Sequence, residues 1–262
     1  MTAHHIVYQV DADGVATLKI DRAEKRNAMT WAMLQAFNAR IAEASVDATV
    51  RVLIVTGADN AFCAGTDLAD LSATPEAERG SRSGRPQAPD WWPLARCPKP
   101  VIAAVDGSAV GMGAEIASLA DVRLVSSRAR FAWNFAHRGL VPDMGAGSWL
   151  LPRLIGPGSA LRLLYSGDFL GADEALRIGF AQEVHEAGDL YAAAVSEARR
   201  YLKSSPVSIR LMKELVMKGL ERSVTEHLSA HQEALAACFR SEDHKEGVAA
   251  FLERRPAQFT GR

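Results

Sequence analysis

Two glycine-rich segments are the parts of this 262-residue chain whose residue types and spacing best suit chemistry. The first reads Ala61-Phe62-Cys63-Ala64-Gly65-Thr66-Asp67 and follows an apolar run at residues 50–55. The second reads Asp106-Gly107-Ser108-Ala109-Val110-Gly111-Met112-Gly113-Ala114-Glu115 and follows the apolar run at 101–105. Each puts small residues where a strand ends and a helix can begin, which leaves backbone N–H groups unpaired and directed outward. Two such exits facing each other form an oxyanion hole, a site that stabilises negative charge developing on a carbonyl oxygen. The residues alone also allow a plainer reading, two tight turns with no chemistry.

Other chemistries find weaker support. Ser108 lacks the G-x-S-x-G spacing of a nucleophile elbow, and the glycines at 107, 111 and 113 do not follow the dinucleotide pattern G-x-G-x-x-G. His227 and His231 stand four apart on a predicted helix, but with no Glu after the first and no third ligand they read as a surface pair, so no metal site is expected. Cys63, Cys97 and Cys238 are too few and too scattered for a disulfide framework and suit a reducing compartment.

The elements that must position these segments follow from periodicity. Residues 6–10 and 15–20 flank the turn signal Asp11-Ala12-Asp13-Gly14 and predict a hairpin. From Thr30, the expected N-cap, Met33, Leu34, Phe37, Ile41 and Ala44 recur at helical spacing. The runs at 50–55, 101–105 and 122–125 suggest buried parallel strands with helical crossovers, hence an α/β fold. Residues 73–90 form one long polar interruption, read either as a lid or as an insertion without a role. Past about residue 192 only helical patterns remain, over 192–202, 207–220, 224–239 and 244–252, which divides the chain into a core, 1–191, and a helical unit, 192–262. Thirty basic against 31 acidic residues leave no broad positive surface, so no nucleic-acid partner is expected, while an anionic small molecule is compatible. Residues 1–14 carry no signal-peptide pattern and no stretch is long and apolar enough for a membrane span, so a cytoplasmic protein is expected.

The residues also carry a family likeness. Arg22-Ala23-Glu24-Lys25-Arg26-Asn27-Ala28-Met29 resembles the coenzyme A segment of the crotonase (enoyl-CoA hydratase/isomerase) family, residues 61–67 resemble its first oxyanion-hole motif, and 99–107 resemble the segment that leads into the second. Residues 139–143 and 151–156, then 167–179 and 250–256, extend the match along almost the whole chain. The resemblance implies a spiral of repeated ββα units with a C-terminal helical domain that assembles trimers or dimers of trimers. It implies an acyl-CoA thioester substrate, with coenzyme A part of that substrate and no separate cofactor. It further implies that the N–H groups of Ala64 and Met112 hold the thioester oxygen, and that Arg22, Lys25, Arg26, Ala28, Ala64 and Asp67 contact coenzyme A.

The proton-transfer groups decide the reaction. The resemblance implies Glu115 and Asp143 as catalytic residues. Family hydratases pair a glutamate at the Glu115 position with a second glutamate, and that second position here is Phe135, which transfers no proton. The aspartate at 143 resembles the one used by double-bond isomerases and dehalogenases of the family. Isomerisation of an enoyl-CoA is therefore favoured, with hydration through Glu115 as an alternative and a catalytically silent acyl-CoA-binding protein as another. His137 is a minor candidate, and Trp91, Trp92, Trp133 and Phe135 are read as pocket walls and core.

Overall fold

The Asp11 carboxylate accepts the N–H groups of Asp13 and Val15 at 2.9 and 2.8 Å, which closes the expected turn between β1 (Ile6–Val10) and β2 (Val15–Ile20) in the computed structural model. The structure describes residues 5–73 and 92–262. The lid expected over 73–90 therefore lies, but for Ala73, outside the described residues, as does Trp91. Helix α1 (Trp31–Val46) starts at Thr30, whose hydroxyl accepts the Met33 N–H, and its buried face is the predicted set Met33, Leu34, Phe37, Ile41 and Ala44.

From there the chain repeats one unit: a long strand, a short strand, then a helix. The first is β3 (Val52–Gly57), β4 (Ala61–Cys63) and α2 (Leu68–Ala73), with α3 (Pro93–Arg96) after it. The second is β5 (Val101–Val105), β6 (Ser108–Val110) and α4 (Met112–Leu119). The third is β7 (Val122–Ser126) and β8 (Arg130–Ala132), leading to α5 (Ala146–Trp149), α6 (Leu151–Ile155) and α7 (Pro157–Ser166). β9 (Leu170–Gly171), α8 (Ala172–Arg177), β10 (Glu183–His185) and α9 (Leu190–Leu202) complete the core. The long strands form a six-stranded sheet in the order β1-β2-β3-β5-β7-β10, parallel except for β1 with β2. The short strands form a second sheet, β4-β6-β8-β9, parallel except for β8 with β9. This is the expected α/β spiral of ββα units.

The apolar runs are continuous because their strands are covered on both faces. In β5, Val101, Ala103 and Val105 join the main core with α1 and α4, while Ile102 and Ala104 face a second cluster containing Leu190, Ala194 and Ala198 of α9. The Arg within the third run is buried too. Arg123 donates to Ala117 O, Ala120 O and Phe180 O, satisfying carbonyls at the C-terminal end of α4, and burial pushes its guanidinium down to about 10. The boundary expected at 191/192 falls within α9, which packs on the six-stranded sheet.

Beyond α9, the helices α10 (Pro206–Gly219), α11 (Val224–Arg240) and α12 (Glu242–Glu253) pack mainly on one another. Capping side chains of Ser205, Ser223 and Ser241 set their starts. Lys213 ties α10 to the core, donating to the Asp121 carboxylate at 2.7 Å and to Lys99 O at 3.0 Å. Among the described residues no helix is long and apolar enough to cross a membrane.

Candidate active site

The site lies where β4 and β6, adjacent parallel strands of the smaller sheet, leave that sheet. The two exits touch backbone to backbone. A Cβ on Gly65 would lie 2.8 Å from Val110 O and 3.7 Å from Met112 N, and one on Gly113 only 2.1 Å from Cys63 O. Glycine at both positions is what allows the approach. Met112 opens α4, so its N–H has no intrahelical partner and carries the positive end of the helix dipole.

The other donor differs from expectation. The Ala64 N–H, expected to face the thioester, donates to Arg26 O at 3.0 Å and is spent on holding the two segments together. Two residues on, Thr66 pairs with Met29 in a short parallel bridge whose bonds run from Met29 N to Gly65 O and from Asp67 N to Met29 O, both 2.8 Å. That register leaves the Thr66 N–H without a partner among the described residues, next to Gly65 and therefore beside Met112. Only the folded bridge reveals which N–H is free.

The coenzyme A candidates divide in the same way. Arg22 is bound at 2.6 Å to Asp67 and at 3.1 Å to Ala28 O, so these expected contacts are partly spent within the protein. Arg22 holds Asp67 below the usual carboxylate range, and Asp67 also accepts the Ala69 and Asp70 N–H groups at the start of α2. Lys25 and Arg26 remain exposed. The residue that shapes this segment is Asn27, whose part depends on contacts that local sequence does not show. It is fully buried at a positive φ of 59°, accepts the Arg22 N–H, and donates to Ala58 O and Ala61 O at 2.8 and 2.7 Å.

Two carboxyl groups converge on the exits. Asp143 is exposed, yet the atoms packed around its carboxyl push it up to about 6, against the opposing pull of the Met144 N–H and the Thr66 hydroxyl. Its Oδ2 lies 3.4 Å from Thr66 Oγ1. Glu115 is fully buried and is pushed up to about 8, first by burial and then by the charge of Asp143. Both carboxyls are thus raised, and Glu115 keeps its proton to higher pH than Asp143, a division suited to separate roles. The Cys63 thiol nearby is buried and pushed up to about 12, so it is no thiolate nucleophile.

Phe135 is a buried ring packed against Gly111, 3.8 Å from where a Cβ there would lie. The place where a second glutamate would be expected is thus apolar. His137 turns away and packs against Gly167. Trp92 belongs to the site wall, its indole N–H donating to Met144 O at 2.9 Å and its ring meeting Trp149 edge-on at 5.4 Å.

Comparison with known proteins agrees with this architecture. The sequence model described as Enoyl-CoA hydratase/isomerase matches residues 11–262. A crotonyl-CoA hydratase from Syntrophomonas wolfei is 36% identical over 249 residues, covering 94% of each chain. A 1,2-epoxyphenylacetyl-CoA isomerase from Escherichia coli is 34% identical over 252 residues, covering 95% of this chain and 96% of its own. The crystal structure of an enoyl-CoA hydratase from Bacillus anthracis superimposes with a TM-score of 0.92 at 28% identity, over 98% of this chain and 100% of that one. The chain belongs to the enoyl-CoA hydratase/isomerase family and is an enzyme of the lyase or isomerase class.

Proposed function

We propose that this enzyme moves a carbon–carbon double bond in an enoyl-CoA thioester, with Asp143 as the base. The observation that carries the reading is the pairing of Asp143 with Thr66, 3.4 Å apart, on the residue whose own N–H is free. A base within reach of that N–H can take a proton from the carbon beside a carbonyl held there.

In a 3-enoyl thioester, the Asp143 carboxylate removes a proton from C2 and the electron pair moves into the carbonyl as a dienolate. The Thr66 and Met112 N–H groups donate to the oxygen and stabilise it more than the neutral carbonyl. Protonated Asp143 then returns the proton to C4, giving the 2-enoyl product with no net change in atoms. No electron carrier takes part, so activity should survive treatment with a chelator. Lys25 and Arg26 supply the free positive charge for the coenzyme A phosphates, and the apolar faces of α10–α12 bury against other copies in a trimer or a dimer of trimers.

Hydration through Glu115 is the second reading, favoured by relatives named as hydratases at 35–36% identity. It requires an acid or base that activates water, and with Phe135 apolar, Glu115 would have to act without a second glutamate. The test compares wild type and Asp143→Asn on a 3-enoyl-CoA and a 2-enoyl-CoA. Isomerisation should fall by about 10²–10⁴-fold in the variant, the usual weight of a general base, while thioester binding persists. Wild type that hydrates far faster than it isomerises would overturn the proposal.

A further inference from the structure

We infer that Glu115 transfers no proton and is instead a positioning residue, tying the turn that carries Asp143 to the helix that supplies the Met112 N–H. The inference rests on Asp143 as the base and adds how that base is held at a fixed distance from the oxyanion donors.

Glu115 follows Met112 by three residues on α4, so the two share a face one turn apart. The Glu115 N–H closes that first turn on Gly111 O at 3.0 Å. Helical side chains lean toward the N-terminus of their helix, which carries the Glu115 carboxyl toward the oxyanion end of α4. There it meets the residues just after Asp143. Oε1 accepts the Gly147 N–H at 2.7 Å, and the N–H groups of Ala146 and Met144 lie near enough to favour the charged carboxylate. The fit leaves no slack: a Cβ on Gly147 would lie 2.5 Å from Glu115 Oε1, 3.0 Å from Trp133 Cδ1 and 3.1 Å from Pro142 Cγ. Trp92 braces the same turn through Met144 O.

The remaining features of Glu115 suit an anchor and oppose a proton donor. It is wholly buried, and its Oε2 has no partner among the described residues. No cation there pairs with it either. A protonated carboxyl is the cheaper form to bury under those conditions, because an unpaired buried charge carries a large desolvation penalty. An apolar side chain of the same size would leave the Gly147 N–H unpaired, whereas a glutamine keeps the acceptor.

The experiment uses the full-length protein with a 3-enoyl-CoA and compares wild type, Glu115→Gln and Glu115→Leu. The glutamine variant should keep kcat within about threefold, since acceptor and shape persist. The leucine variant should lose about 10²-fold in kcat with KM nearly unchanged, the cost of a base misplaced by about 1 Å. A ¹³C carboxyl titration of Asp143 supplies a readout independent of turnover. Glu115 from α4 and Cys63 and Thr66 from the β4 exit face Asp143, and only Glu115 is altered. The Asp143 titration should stay in place in the glutamine variant and move toward that of an ordinary aspartate in the leucine variant. A glutamine variant as slow as the leucine variant overturns the inference, and so does a leucine variant with wild-type kcat and titration. If the leucine variant does not fold, the glutamine variant still decides, because proton transfer through Glu115 predicts at least about a 10²-fold loss. Failure of the isomerase reading itself shows separately, as turnover that survives Asp143→Asn.

Discussion

Helices α4 and α11 stand at opposite extremes of the same chain. All eight residues of α4 are buried, while the seventeen residues of α11 include no buried one. α4 is enclosed by the core along its whole length, and a backbone donor at its start is only as well aimed as the helix that carries it. α11 aims nothing. Its Leu228, Leu235 and Phe239 lie open, as do Val216 on α10 and Phe251 on α12. The spiral finishes its own core, whereas the tail keeps more apolar surface than a lone subunit usually shows.

The largest expected effect tests the core side of that contrast. Gly113→Ala would drive a methyl group to within 2.1 Å of Cys63 O, a clash with backbone that no rotamer relieves. Destabilisation of about 3 kcal/mol or more is expected, at or beyond the top of the usual overpacking range, read as a lowered urea midpoint. On the tail side, Leu235→Ser with Phe239→Ser should leave the far-UV circular dichroism unchanged while the mass by light scattering falls. A wild-type monomer at micromolar concentration would remove the assembly proposal altogether.

A smaller effect concerns the charged segment beside the site. Lys25→Glu with Arg26→Glu should weaken acyl-CoA binding about tenfold, and wild-type binding should weaken with added salt, as expected for exposed charge contacts. Calorimetry that finds neither dependence would move coenzyme A recognition elsewhere.

The smallest effect is a slope. Glu115 holds its proton up to about pH 8 in the folded protein, whereas its ordinary value is 4.5. The unfolded chain releases that proton first, so the stabilisation is complete below about pH 4.5 and is lost as pH rises toward 8. Asp143, pushed up to about 6, adds to the same trend over the lower part of that range. Urea midpoints should therefore decline from pH 5 to pH 8 in wild type and decline less in Glu115→Gln. For catalysis the sign is opposite: kcat for isomerisation should rise through pH 6 as Asp143 ionises.

Much of the frame was legible before the fold was known. The hairpin at 6–20, the buried face of α1 and the strand at 101–105 coincide with the apolar pattern, because burial on one or two faces writes a period into the residues. The strands β4, β6, β8 and β9 were not legible as strands, since two or three residues are too few to show a period. The same limit explains the exchange of Ala64 for Thr66. Which N–H is free depends on the bridge to Met29, a pairing between distant segments that leaves no mark on local composition. Glu115 stood out as an acid, but its closure behind residues 144–147 follows from packing across 32 residues of sequence.

The smaller sheet has one more consequence, for the order in which the molecule comes into being. Its four strands come from residues 61–63, 108–110, 130–132 and 170–171, so no two neighbours can pair until long intervening segments have been drawn in. Such non-local pairing makes for slow, late assembly. The proposed oxyanion donors sit on the exits of β4 and β6, so on that reading a nascent or partly collapsed chain has no place to hold a thioester. A ligand bound at those donors would therefore recognise only the finished spiral, drawing the folding equilibrium toward it by mass action.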